Sequence, residues 1–522
     1  MSATVHNETD RTAMTTAEQA DTEEAATEID HLLAAATAAA TPWAQLPPRA
    51  RADALDGVAD ALDAAATDLV AAALRETGLP QARLTGEVQR STVQLRMLAD
   101  VAREGSHLRV VLDRADPGFV LGPRPELRRW LVPLGPVLVY AASNFPFAFS
   151  VAGGDTASAL AAGCPVVVKT HPGHPETSRR TAEIVRSALA RADAPEGTFA
   201  VLTGTSAGVR ALRDPRITAA AFTGSVAGGR ALFDIAAARP APIPFYGELG
   251  SINPAVVTAE AAQERADRIA RGFVGSFTLG AGQFCTKPGV LLVPRGTDLP
   301  ERVAELAEQV PPARMLTAGI AARYRERTAE LAAVPGIQVL VRGQEHEHDS
   351  GVPAFTPALF HAGPAESLRV HAGALLEETF GPAAVLAEYG AEDDLPEILA
   401  AVDGSLTVTV HTGAAPTGTE RASLAPLLDL AAQRSGRIVF NEWPTGVAVT
   451  AAQHHGGPYP ASTSIAHTSV GTAAIDRFLR PVTYQNAPAA LLPAALRDDD
   501  PWRLPRTVNA AGESGRWAPA RR

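Results

Sequence analysis

The sequence predicts an α/β fold built on parallel sheets covered on both faces. Two observations carry that prediction. Between residues 137 and 238, short and wholly apolar runs alternate with stretches of helical period, and the same alternation resumes after Pro244. A strand buried on both faces reads as a continuous apolar run, and strands separated by helices close as parallel βαβ units. The composition agrees: of 522 residues, 46% are hydrophobic and 20% charged, enough for large cores in about two to four domains.

Composition also excludes some functions. A net charge of −11 argues against a nucleic-acid binder, though it leaves room for a local basic pocket. Two cysteines make no disulfide framework and point to a reducing compartment. Glu8, Asp10, Asp21, Glu23 and Glu24 stand where a secretory signal would be basic and then apolar. No apolar run reaches the length of about eighteen residues that a spanning helix needs. The expectation is a cytoplasmic protein with no membrane partner.

Taken in order, residues 1–25 are polar and acidic and are expected to be disordered. A helical pattern starts at Glu28 with Ile29, Leu32 and Leu33, and breaks at 43–48. Residues 49–77 are amphipathic through Leu55, Val58, Leu62, Leu69 and Leu74, and 87–104 through Val88, Val93, Leu95 and Leu98. The Pro- and Gly-rich stretch 113–136 holds short apolar pieces at 119–121 and 130–132 and reads as a ribbon of short strands. Strands then fall at 137–140, 166–169, 199–202 and 217–222, with helices at 155–162, 177–191, 207–212 and 226–238. Further on come helices at 260–278, 301–309, 319–333, 395–402 and 422–433, with strands at 290–293, 385–389, 407–411 and 436–440. The polar loop 343–351 carries His346 and His348, but no cysteine or third spaced histidine completes a metal set. No metal site is expected. Beyond Val447 the chain is rich in Gly, Pro and Ser, with one extended piece at 503–508.

Four features bear on chemistry. Cys285 sits in Gly280-Ala281-Gly282-Gln283-Phe284-Cys285, where glycines let the backbone approach a reactant and an ionised thiol would attack a carbonyl carbon. Glu248, in Gly247-Glu248-Leu249-Gly250, is a candidate general base. Asn144 and Lys169 follow strands, at the end where open α/β sheets handle ligands. Asn144 could donate to an oxyanion, and Lys169 to a ribose or phosphate. In Phe222-Thr223-Gly224-Ser225-Val226-Ala227-Gly228-Gly229, a glycine turn opens a helix whose free N–H groups suit a pyrophosphate. Each also has a plain structural reading. Cys285 fits as a small buried hydrophobe, Asn144 and Glu248 as turn residues, and Ser225 as a helix cap.

Together these pieces resemble the aldehyde dehydrogenase superfamily over about residues 28–510. The matching segments are Ser-Asn-Phe-Pro at 143–146, Lys169, Phe-Thr-Gly-Ser at 222–225, Glu-Leu-Gly at 248–250, Gly-Gln-Phe-Cys at 282–285 and Glu-Glu-Thr-Phe-Gly-Pro at 377–382. Residues 142–160, Gly-Gly-Arg-Ala-Leu at 228–232, Pro-Thr-Gly-Val at 444–447 and His-Gly-Gly-Pro-Tyr-Pro at 455–460 resemble the branch of 2,5-dioxovalerate (α-ketoglutarate semialdehyde) dehydrogenases and related NADP-dependent enzymes.

The resemblance implies a Rossmann-like NAD(P)-binding domain at 26–114 and 136–246 and an α/β catalytic domain at 247–450. It implies a small β oligomerisation ribbon at 115–135, joined by the C-terminal tail 480–522, and a homodimer or homotetramer. Cys285 would be the nucleophile, Asn144 with the Cys285 backbone N–H the oxyanion hole, and Glu248 the base that hydrolyses the thioester to acid. His455 would tune the thiol or act as a second base, or serve as a structural hydrogen bonder. Lys169 and Glu378 would hold the cofactor riboses, Gly224, Ser225 and Gly229 the pyrophosphate, and Phe380 would pack on the nicotinamide. Pro172 stands where NAD-preferring relatives often place a glutamate, so with His171 and His174 nearby the reading leans to NADP over NAD. The reaction implied is oxidation of a small aldehyde, with 2,5-dioxovalerate the favoured substrate. The rivals are a broad-specificity or fatty aldehyde dehydrogenase and, more distantly, a thioesterase or esterase without redox chemistry.

Overall fold

The computed structural model describes residues 16–390 and 395–517. Residues 1–15, most of the segment expected to be disordered, lie outside that range. The first helix is Thr16–Gln45, beginning well before Glu28, because the Ala- and Glu-rich sequence there is a good helix former. It runs through Pro42 to the buried Trp43, whose Nε1 donates to the Leu160 carbonyl at 3.1 Å. The amphipathic stretch 49–77 is two helices, Pro48–Ala64 and Ala66–Thr77, and the next helix is Gln81–Glu104.

A five-stranded parallel sheet follows. Its order is Phe199–Leu202, Val166–Lys169, Val137–Tyr140, Ala219–Thr223 and Phe245–Glu248. Val137, Val139, Val166 and Val168 face one core, against helices that include Pro48–Ala64, Gly154–Ala162 and Pro175–Arg191. Leu138, Tyr140 and Val167 face the other, with Leu33, Leu212 and Ala236 of the opposite helices. Burial on both faces is why these strands are apolar at nearly every position before their carboxyl ends. From Val137–Tyr140 the chain winds outward to one edge and then returns to build the other, so the strand order reverses beside this strand. Such a switch point opens a crevice at the strands' carboxyl ends, and Asn144, Lys169, Ser225 and Glu248 all lie there. The expected boundary at 247 falls inside the last strand of this sheet.

A second sheet has seven strands, in the order Gln338–Val341, Ala358–Pro364, Ala383–Tyr389, Val290–Pro294, Ala255–Val257, Ser405–His411 and Ser435–Phe440. All its pairings are parallel except the first. The first two of these strands, and Ala255–Val257, were not expected.

The third sheet joins distant segments: Leu479–Gln485, Leu127–Pro133, Val110–Asp113 and Arg506–Asn509. Leu127–Pro133 lies in the stretch 113–136 read as a ribbon of short strands, with two differences from that reading. Val110–Asp113, read with the cofactor domain, pairs here. The piece at 119–121 is not a strand, because Asp116 accepts from the Gly118 N–H at 2.9 Å and Gly122 turns at φ 105°, leaving one bridge between Asp116 and Arg124. Within the polar loop, Glu345–His346 forms a two-residue strand and His348 bonds Ser350. Among the described residues, no helix is long and apolar enough to cross a membrane.

Candidate active site

The cysteine loop is held by polar groups buried beside the second sheet, just before its strands Ala255–Val257 and Val290–Pro294. Gly280, Ala281 and Gly282 take φ values of 58°, 56° and 64°, a left-handed path. A Cβ on Gly282 would sit 2.2 Å from the Gly381 carbonyl oxygen, so only glycine fits. Asn253 is fully buried, and its Nδ2 donates to the carbonyls of Cys285 at 2.8 Å and Lys287 at 3.1 Å. Its Oδ1 accepts from the Thr407 N–H at 3.1 Å, tying the loop to the sheet. The Lys287 ammonium, also buried, donates to the carbonyls of Thr379 at 2.9 Å and Ala383 at 2.7 Å.

Asn144 is fixed from the other side. One Glu87 carboxylate oxygen accepts from the N–H groups of Phe147 at 2.8 Å and Ala148 at 3.1 Å. The Arg83 guanidinium donates to the Asn144 carbonyl at 2.6 Å. The Asn144 Nδ2 donates to the Gln283 carbonyl at 3.1 Å, which leaves its second hydrogen for a ligand.

Three side chains meet at the thiol. The Cys285 Sγ lies 3.6 Å from His455 Nε2, and that nitrogen lies 2.8 Å from Glu248 Oε1. The other Glu248 oxygen accepts from the Ser469 hydroxyl. Glu248 and His455 are 4% and 1% exposed, so these bonds form away from water. Burial pushes the Glu248 carboxyl up, but the His455 charge and hydrogen bonds from His455, Ser469 and the Cys285 thiol outweigh it and leave the group below the usual range. Burial and the Glu248 carboxylate together push the Cys285 thiol well above its usual value, with Arg90 opposing. The donor atoms of the three lie within 4.8 Å of one another. Cys164, the other cysteine, is fully buried and donates to the Phe478 carbonyl at 3.5 Å; burial raises its pKa to about 11, and it is inert.

All the candidate residues except Gly229 and His455 line one cavity of about 490 Å³, a size suited to a small-molecule site. His455 stands behind Cys285 and Glu248. Gly229 serves packing, since a Cβ there would lie 2.1 Å from Leu249. Ser225 caps the helix Val226–Ala237, accepting from the Gly228 N–H at 3.2 Å. His171 is on the wall and accepts from the Gly173 N–H at 3.0 Å; burial, His174 and Lys169 lower its pKa to about 3, so it is neutral. His174 is structural and fully buried, bonded to Ser178 at 3.1 Å and the Ala142 carbonyl at 2.9 Å. Glu378 is held above the usual carboxyl range by burial, with Lys287 opposing. A Cβ on Gly250 would meet the Glu378 carboxylate at 2.3 Å, so that glycine keeps its place open.

A family model described as the aldehyde dehydrogenase family matches residues 2–482. The chain belongs to that family. The dehydrogenase is 43% identical over 473 residues to alpha-ketoglutaric semialdehyde dehydrogenase 2 of Azospirillum brasilense, covering 90% of this chain and 88% of the relative. It is 39% identical over 486 residues to alpha-ketoglutaric semialdehyde dehydrogenase of Acinetobacter baylyi, covering 92% and 91%. A solved NAD-dependent aldehyde dehydrogenase from Sinorhizobium meliloti shares the fold, with TM-score 0.73 at 24% identity over 89% of this chain and 88% of that one. The dehydrogenase is thus an NAD(P)-dependent enzyme that oxidises an aldehyde to an acid. Sequence reasoning missed Asn253, Lys287, Glu87 and Ser469, whose roles come from buried bonds to distant backbone and side chains.

Proposed function

We propose that the substrate is 2,5-dioxovalerate and the product 2-oxoglutarate, with NADP preferred over NAD. The observation that carries the chemistry is the Cys285–His455–Glu248 cluster opening onto the cofactor-sized cavity. The substrate follows the two relatives at 43% and 39% identity.

The cavity fits a dinucleotide. It brings a capped helix N-terminus, the Glu378 carboxylate, the Lys169 ammonium and the Phe380 ring onto one wall. Lys169 and Glu378 would hold the riboses, Gly224 and Ser225 the pyrophosphate, and Phe380 the nicotinamide. Bound there, the nicotinamide supplies a hydride acceptor. Pro172 presents no carboxylate to repel a 2′-phosphate.

Glu248 takes the thiol proton as Cys285 Sγ bonds the aldehyde carbon. The oxyanion is held by Asn144 Nδ2 and the Cys285 N–H. Loss of hydride from that carbon leaves a thioester. Glu248 releases that proton to solvent and, with its charge again held by His455, then removes a proton from water as the water attacks. The C–S bond breaks, the acid leaves, and the thiol is restored. The same reading takes in a cytoplasmic homodimer or homotetramer assembled through the ribbon sheet.

Following reduced-cofactor absorbance across a panel of aldehydes, each with NAD and with NADP, tests this. The highest kcat/KM is expected with 2,5-dioxovalerate and NADP. A higher value with a fatty or other uncharged aldehyde contradicts the substrate, and a higher value with NAD contradicts the cofactor.

A further inference from the structure

The helix Gln81–Glu104 turns three charged side chains toward the site, at 83, 87 and 90. This spacing puts them on one helix face. Two have bonded partners: Arg83 donates to the Asn144 carbonyl, and Glu87 accepts from Phe147 and Ala148. Arg90 differs. Its Nε and Nη2 are both sealed from solvent without a hydrogen-bond partner. These are the two nitrogens whose N–H bonds point the same way, the side-on fork that matches the two oxygens of a carboxylate.

The position of that fork is defined by aromatic rings. The Arg90 guanidinium carbon lies 5.9 Å from the Phe145 ring and 5.7 Å from the Phe149 ring. The Phe149 ring is in turn 6.3 Å from that of His455, whose Nε2 is 3.6 Å from the thiol. Phe145 also packs on Phe284, the residue before Cys285, at 5.3 Å. Arg90 therefore lies one aromatic ring away from the catalytic cluster, yet it is not on the wall of the cofactor cavity. Its charge is felt at Cys285, Glu87 and Glu248.

Arg90 is partly buried, but a guanidinium fork sealed from water and left free lacks the bonds that would offset its desolvation. Arg437, whose charge also reaches Cys285, has no such fork, since its two Nη groups donate to the carbonyls of Gly446 at 3.1 Å and Pro444 at 2.6 Å.

We propose that Arg90 anchors the far carboxylate of the substrate, so that the site selects short aldehydes ending in a carboxylate. The phenyl rings cover the carbon chain between the anchored carboxylate and the aldehyde at Cys285. This rests on the reading of the substrate as a carboxylated aldehyde and assigns the residue that recognises it.

The test compares kcat/KM for 5-oxopentanoate and for pentanal, equal in chain length, in the wild type and in Arg90→Met. Removing the cation also changes the field at Cys285, and that change acts on both substrates. The ratio of the two isolates carboxylate recognition. The wild type is expected to favour 5-oxopentanoate, and Arg90→Met to lower the ratio about a hundredfold, the loss expected for a buried charge-paired anchor. Arg90→Lys keeps the charge without the fork and is expected to lower the ratio about tenfold, a reading that holds should the Met variant fail to fold. A wild type that favours pentanal overturns the substrate reading and this assignment with it. A wild type that favours 5-oxopentanoate, with the ratio unchanged in Arg90→Met or in Arg90→Lys, overturns Arg90 alone.

Discussion

Replacing His455 with alanine tests how Glu248 is kept ionised. In the native site the carboxylate is 4% exposed and holds a 2.8 Å contact with His455. Its pKa is the outcome of burial, which raises it, against His455, Ser469 and the thiol, which together lower it more. A charge-assisted bond of this kind contributes about 1.5–3 kcal/mol. At about 1.4 kcal/mol per unit, its loss raises the carboxyl by about one to two pH units. The sign follows from the direction: a group held below its usual value moves up when the group holding it is removed. The carboxylate is then lost at a higher pH. The acid limb of the kcat–pH profile, read by reduced-cofactor absorbance, should shift to higher pH by that amount. Ser469→Ala, which removes a weaker contributor, should shift it in the same direction by less. An acid limb that stays in place in His455→Ala refutes the reasoning, as does one that moves to lower pH.

Two further outcomes are expected. Asn144→Ala removes the side-chain oxyanion donor and should lower kcat about a hundred- to a thousandfold, seen in steady-state rates with the fold checked by circular dichroism. Gly282→Ala combines a left-handed φ of 64° with a Cβ 2.2 Å from the Gly381 carbonyl, whereas Gly296→Ala has φ 77° and open space around it. The first should cost about 3 kcal/mol and the second about 1–2, a difference that thermal unfolding resolves.

What could be read from the sequence follows burial. The strands Val137–Tyr140, Val166–Lys169 and Phe199–Leu202 fall where expected because both of their faces are covered and nearly every position is apolar. Ala358–Pro364 is paired on both sides in its sheet, but His361, Gly363 and Pro364 interrupt the apolar run and hide it. Leu479–Gln485 is an edge strand with Arg480, Pro481, Thr483 and Gln485 exposed, so its composition looks like a loop. Cys285 and Glu248 were visible because glycines flank them. Asn253, Lys287, Glu87 and Ser469 were not, because an ordinary polar side chain gains its role only when folding buries it against a partner far away in the chain. Gly229, read with the Gly224–Ser225 turn, lies off the cavity wall, and its lack of a Cβ leaves room for Leu249.

The central claim is that one carboxylate, Glu248, serves twice, taking the thiol proton and then resolving the thioester, and that a single thioester can still form without it whereas hydrolysis cannot keep pace. Rapid mixing of Glu248→Gln with aldehyde and oxidised cofactor measures both steps at once. The account predicts a burst of reduced cofactor close to one per site, followed by a steady state slowed about a hundredfold or more. A steady-state rate equal to that of the wild type, or the absence of any burst in a folded, cofactor-binding variant, contradicts it.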